Sequence, residues 1–313
     1  FTSTKALGIE PEDIDGTTVG SMAIPEFGTK FTRQMLVDTK PTTFAELVRI
    51  AGLSHGTDVW LNNAQDLVRA NVVGLKEVIS TRDDIMNYLI FMGLKPKMAF
   101  TIMESVRKGK GLKPEHEEAM LENEVPDWYI TSCKKIKYMF PKAHAVAYVM
   151  MSFRIAYFKV YHKEAFYAAC FSTKVDNFDV DLICRGKEAV MMAYQELKQK
   201  ENNLTAKEMG FITVLELAYE MHQRGVKMNH VDIYKSDSKK FYVLDNEILP
   251  PLLSIPGLGL TVAEKIKEEA GKSEFISLED FRIRTKASKT VIETLRNHGC
   301  LQGLPETNQL SLF

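Results

Sequence analysis

Two prolines, Pro126 just before the stretch Trp128–Tyr148 and Pro141 within it, constrain the local fold more than any other feature of the chain. Pro126 can open a helix at its first position, where the missing N–H costs nothing. Pro141 pushes its predecessor out of the helical region, so that helix is expected to stop near Phe140. It would carry Lys134, Lys135 and Lys137. A second helix is expected from just after Pro141 to about Tyr161. It is mostly apolar, yet His144, Tyr148 and Ser152 recur at i, i+4 and i+8 and so share one face. A lysine cluster would then abut a His/Tyr stripe. Lysines neutralise phosphates, while the rings offer a flat surface and a hydrogen bond to a base or sugar. Two readings stay open here: a nucleotide-phosphate site, or a solvated basic helix beside a core helix whose His and Tyr satisfy each other.

At 313 residues the chain is long enough for a large core and for two or more domains. A formal net charge of -1 excludes a uniformly basic nucleic-acid coat, so any phosphate-binding surface must be a local patch. Cys133, Cys170, Cys184 and Cys300 are scattered and form no C-x-x-C pair. They predict neither a zinc site nor a disulfide framework, and a reducing cytoplasm is the simplest setting. No stretch reads as a signal peptide or a long uncharged apolar run. Phe1 in place of methionine suggests a piece of a longer polypeptide whose chemistry lies partly upstream.

Helix signals dominate the order of the chain. Pro11-Glu12-Asp13 looks like a helix start, and Asp13 with Asp15 reads either as a paired-carboxylate metal site or as first-turn acids complementing a dipole. Pro25–Gly28 is expected to turn before a helix at Phe31–Leu36. Thr43 with Glu46 forms a capping-box pattern whose helix should reach Gly52. The polar run Ser54-His55-Gly56-Thr57-Asp58 holds the residue types of a hydrolase triad, but their near-contiguity argues against one. It can instead line a nucleotide pocket. Arg107-Lys108-Gly109-Lys110-Gly111 ends a helix opened by Pro96. The run lacks P-loop spacing; it can either wrap an anion or cap the helix with cations. Asp179–Lys198 reads as one long amphipathic helix, and Thr213 with Glu216 as a second capping box ahead of Gly225.

The character changes after Val231. Lys240–Leu249 reads as a β-hairpin around Asp245-Asn246, and Pro250-Pro251 marks a boundary. Ile255-Pro-Gly257-Leu-Gly259 before an apolar-periodic segment fits the turn of a helix–hairpin–helix, whose exposed N–H groups can hold a DNA phosphate without reading sequence. Lys286-Ala-Ser-Lys-Thr290 is a candidate second turn. The tail Pro305–Phe313 has no periodicity and ends in Gln309-Leu-Ser-Leu-Phe313, which reads either as a docking peptide or as a tail tucked onto its own domain.

Taken together, these pieces resemble the C-terminal part of the PolC-type replicative DNA polymerases of Gram-positive bacteria, the C-family DNA polymerase III alpha subunit. The resemblance is carried by Gly52–Trp60, Met103–Gly111, Lys134–His144, the helix–hairpin–helix and the terminal Gln-Leu-Ser-Leu-Phe, and covers essentially the whole chain. It implies a mainly α fold: helical fingers, then a small α+β linking region and a helix–hairpin–helix domain. The implied divisions are the end of the palm at 1–40, nucleotide-binding fingers at 41–165 and a linking, clamp-association region at 166–247. A duplex-binding domain at 248–304 and a clamp-binding peptide at 305–313 follow.

The resemblance also implies roles. Arg107, Lys108, Lys110, Lys134, Lys135 and Lys137 would contact triphosphate or template. His144 and Tyr148 would face the sugar and base, with Phe140 and Ser54 shaping the wall. Gly257, Gly259, Thr261, Lys265, Ser288 and Lys289 would grip duplex DNA. Gln309, Leu310, Leu312 and Phe313 would enter a sliding clamp. The activity implied is DNA-directed DNA polymerisation, a nucleotidyl transfer to a primer 3′-hydroxyl during DNA replication. Its two magnesium ions would be held by aspartates outside this chain, and its partners would be primer–template DNA, deoxynucleoside triphosphates, the clamp and the upstream polymerase. The setting would be a cytoplasmic, nucleoid-associated replisome. A non-catalytic DNA-binding and clamp-tethering module is the alternative. A helix–hairpin–helix repair enzyme would need a constellation around Asp280 or Lys265, and none is evident.

Overall fold

In the computed structural model, which describes residues 1–14, 16–200 and 203–308, Thr43 and Glu46 cap each other as their spacing predicts. The Thr43 hydroxyl accepts from the Glu46 N–H, and the Glu46 carboxylate accepts from the Thr42 and Thr43 N–H groups. The chain divides into two compact units, Phe1–Thr4 with Thr18–Ala156 and Lys5–Thr17 with Tyr157–Phe313.

The first unit is helical: α1 (Lys30–Thr39), α2 (Phe44–His55), α3 (Gln65–Arg69), α4 (Arg82–Phe91), α5 (Pro96–Arg107), α6 (Pro114–Glu122), α7 (Asp127–Lys135) and most of α8 (Lys142–Tyr161). Its core joins Ile50 and Leu53 of α2, Ile85 and Leu89 of α4, Ile102 and Val106 of α5, and Tyr129 and Cys133 of α7. Gly52 does not end α2 as expected; the helix continues to His55. A Cβ at Gly52 would lie 2.7 Å from the Ser80 carbonyl oxygen, so glycine serves close packing there rather than termination.

Helix α7 stops at Lys135, short of the Phe140 expected from Pro141. Ile136 is already extended (ψ 131). The Lys137 N–H donates to Thr57 O at 3.0 Å, and the Thr57 N–H donates to Tyr138 O at 3.0 Å, an isolated antiparallel bridge. Ile136 and Met139 are buried while Lys137 and Tyr138 are exposed. The proline restricts only its neighbour; a distant loop and two buried side chains straighten the rest. Helix α8 begins just after Pro141, as predicted.

The second unit holds α9 (Lys163–Ser172), α10 (Val180–Cys184), α11 (Lys187–Lys198), α12 (Ala206–Gln223), α13 (Leu260–Ala270), α14 (Leu278–Thr285) and α15 (Lys289–Asn297). The single sheet among the described residues pairs β1 (Tyr242–Leu244) with β2 (Glu247–Leu249). Asp245 and Asn246 both take left-handed φ (51 and 61), the geometry of the expected hairpin turn. The long helix expected at Asp179–Lys198 is broken at Gly186, whose φ of 97 no helix accommodates. The capping box of α12 is Thr205 with Glu208; Thr213 lies mid-helix, its hydroxyl donating to Met209 O. Fully buried Lys159 and Glu220 pair at 2.8 Å. The Tyr167 hydroxyl donates to the same carboxylate at 2.8 Å, and Arg224 donates to that hydroxyl and to Leu7 O. Burial pushes the Lys159 ammonium pKa down, opposed by Glu220. Removing one charge of such a pair costs about 3–5 kcal/mol.

Gly52→Ala sets two effects against each other. Alanine favours the helix by about 0.5–1 kcal/mol, whereas overpacking costs about 1–3 kcal/mol. Because a backbone oxygen cannot swing aside, the clash should win, and chemical denaturation should show a lower midpoint for the variant.

Candidate functional site

The extended segment 136–141, pinned to Thr57, brings the end of α2 beside the start of α8. Thr57 follows His55 by two residues, so the bridge to Tyr138 sets the His55 imidazole over Phe140. The ring centroids are 4.8 Å apart and the planes 26° from parallel. Phe140 also meets His144 edge-on at 5.6 Å and Tyr148 at 6.2 Å, and His144 and Tyr148 lie 5.9 Å apart. The i, i+4 spacing therefore delivers its stripe, with both His144 and Tyr148 exposed. Ser152, third in the stripe, is fully buried and donates to Pro25 O at 2.8 Å. The Ser54 hydroxyl donates back to Ala51 O within α2. His55 is the member that residue-by-residue reading left out of the site. Its signal was the Ser54–Asp58 run, discounted there only as a triad.

The loop after Thr57 is built around buried Asn63, whose amide donates to Asp58 O and to Ser132 O of α7. Gly56 tolerates no side chain, since a Cβ would lie 3.0 Å from Tyr138 O and 2.3 Å from Val59. Asp58, Leu61, Asn62, Asp66, Lys135 and Lys137 line an open cavity of about 520 Å³.

The cations differ in availability. The Arg107 guanidinium and Lys108 both pair with Glu104, and the hydrogen bonds from Arg107 and then Lys108 hold its carboxyl down at about 2. Lys134 pairs with Glu117 at 2.7 Å, and Lys135 donates to Asn62 O at 2.7 Å. Lys110 and Lys137 are exposed and make no ion pair among the described residues. The N–H groups of Gly109 and Lys110 donate to Val106 O and Ser105 O, so the glycine loop caps α5. A Cβ on Gly109 would fall 2.5 Å from Lys137 O, which places the α5 loop directly on the segment carrying Lys137.

In the second unit, Gly257 has φ 85 and requires glycine, whereas Gly259 is an extended N-cap that any residue could adopt. Its bare position leaves the start of α13 open, because no side chain caps it and Thr261 is exposed. Lys265 is held by Glu268 and Glu269, both at 3.0 Å, and those hydrogen bonds raise its pKa. At the second turn Ser288 accepts from the Val291 N–H. Lys289 is exposed there, as is Lys286, a residue of the motif not singled out from sequence. Gln309, Leu310, Leu312 and Phe313 lie outside the described residues.

A model of the bacterial DNA polymerase III alpha subunit finger domain matches residues 14–127, and a helix-hairpin-helix motif model matches residues 225–310. DNA polymerase III PolC-type proteins align with all 313 residues, at 59% identity in Caldanaerobacter subterraneus, 58% in Clostridium perfringens and 55% in Bacillus subtilis. Over its whole length the chain is similar to PolC-type DNA polymerase III sequences. It covers 22% of the length of each of these PolC-type relatives. The finger-domain match includes His55 but ends before Lys134, so Phe140, His144 and Tyr148 lie outside it and within the whole-chain PolC-type alignments. Among the described residues no group of three or more His, Cys, Asp or Glu side chains could hold a metal ion, and no helix is long and apolar enough to cross a membrane.

Because the folded Glu104 pKa lies below its ordinary value, the pairing it supports is present above about pH 4.5 and is lost as pH falls towards 2. NMR titration of this carboxyl should show a midpoint near 2, returning to about 4.3 when Arg107 and Lys108 are both replaced by glutamine.

Proposed function

We propose that this chain supplies the fingers and the duplex-gripping part of a replicative DNA-directed DNA polymerase. The observation that carries the reading is the ring cluster of half-buried Phe140 with exposed His144 and Tyr148, in a segment that also bears Lys137, which makes no ion pair among the described residues. An aromatic seat takes a base and sugar, and an ammonium without a carboxylate partner is free to take a phosphate. The reaction is attack of a primer 3′-hydroxyl on the α-phosphate of a deoxynucleoside triphosphate, with pyrophosphate leaving. The chain's part is to hold the base, orient the triphosphate and neutralise developing charge. Magnesium chemistry is assigned, on the family resemblance, to carboxylates outside these residues.

The open start of α13 and the exposed Lys286 and Lys289 support phosphate contacts along duplex DNA. Gln309–Phe313 is proposed as the peptide that docks in a sliding clamp, and a cytoplasmic, nucleoid-associated replisome as the setting.

The cation pairing predicts unequal lysines. In the polymerase containing this chain, Lys137→Ala should raise the KM for deoxynucleoside triphosphates about 10-fold or more, the range for a lost charged hydrogen bond. Lys134→Ala should change it by no more than about 2-fold, because a phosphate must first displace Glu117. Primer extension with unchanged KM for Lys137→Ala would remove the assignment. Duplex retention should weaken with salt, and replacing Lys286 and Lys289 should each flatten the logarithmic slope by about 1.

A further inference from the structure

One contact at the ring cluster serves no step above: His55 Nε2 meets the Glu26 carboxylate. Glu26 is built into place. Its φ of 70 is a left-handed conformation that non-glycine residues rarely adopt, and such strain persists only where the surroundings impose it. The surroundings here do impose it. Ile24 N–H donates to Ser21 O and Phe27 N–H to Ile24 O, and the buried Ser21 hydroxyl donates to Phe27 O at 2.7 Å. The buried Ser152 hydroxyl of α8 fixes Pro25 O. Gly28 closes the turn so tightly that a Cβ would lie 2.8 Å from Ala23 N. The Glu26 side chain ends only 13% exposed, against a His55 that is 40% exposed.

A carboxylate-held imidazole does not rotate freely. It covers one face of Phe140 in near-parallel stacking and lies 6.4 Å from Tyr148. We propose that Glu26 and His55 are positioning residues, which fix the plane of the Phe140 ring before a nucleobase arrives. The inference rests on the nucleotide-seat reading above. Neither residue contacts the triphosphate in this scheme; they remove the ordering cost that a loose aromatic wall would impose on each binding event. Their effect is therefore on substrate binding rather than on the transfer step.

The test is single-nucleotide incorporation by the whole polymerase, with KM and kcat resolved. Glu26→Ala and His55→Ala should each raise the deoxynucleoside triphosphate KM about 5–10-fold with kcat within about 2-fold. The double variant should be no worse than either single, as for residues acting as one unit. Glu26→Gln, which keeps a hydrogen bond to the imidazole, should restore a KM near the parent value. Unchanged KM in both alanine variants, multiplicative effects, a loss confined to kcat, or a Glu26→Gln variant as weak as Glu26→Ala would each overturn the proposal. Tyr148→Ala separates the two levels. If it raises KM while the Glu26 and His55 variants do not, the seat stands and the positioning pair falls. If it leaves KM unchanged, the seat and the pair fall together.

Discussion

The first unit's site depends on a pair of backbone hydrogen bonds between Thr57 and the segment Lys137–Tyr138. Each is worth only about 1 kcal/mol net, but they act together with the burial of Ile136 and Met139, at about 1.5–3 kcal/mol per side chain. That sum outweighs the helix propensity of the lysine-rich stretch, so α7 ends and the chain runs straight to Pro141. The straight run has two consequences. It turns Lys137 away from the register of Lys134 and Lys135, and it lays Phe140 beneath His55. Gly56 and Gly109 serve the same pairing, since a side chain at either would press on the backbone oxygen of Tyr138 or Lys137.

Charge around this segment is mostly settled within the molecule. Glu104 occupies Arg107 and Lys108, and Glu117 occupies Lys134. These are partly exposed pairs that solvent screens, so a phosphate could displace the carboxylate at small cost. They still rank the cations, because Lys110 and Lys137 need no displacement. The same logic operates in the second unit, where Lys265 is shared by Glu268 and Glu269 while Lys286 and Lys289 remain exposed. A basic residue in a motif marks where positive charge can be; its neighbours decide whether that charge is free.

The glycines divide in a similar way. Gly257 is demanded by a left-handed backbone, whereas Gly259 is permitted by any backbone and contributes by leaving the start of α13 uncovered. Gly52, which resembles a helix terminator in sequence, is a packing residue inside α2. One residue type thus serves conformation, access and close approach at three positions.

The sequence alone determined the local grammar: the capping box at Thr43, the helix starts at Pro96 and after Pro141, the Asp245-Asn246 hairpin and the His144–Tyr148 stripe. Each rests on a few contiguous residues whose stereochemistry allows little else. Its motifs also resembled the PolC-type family along their whole length. Tertiary structure decided where α7 stops, which lysines are already paired, that Ser54 bonds within its own helix and that His55 joins the rings. Those outcomes turn on partners far apart in the chain, Thr57 with Tyr138 and Glu26 with His55, and periodicity carries no information about distant pairings.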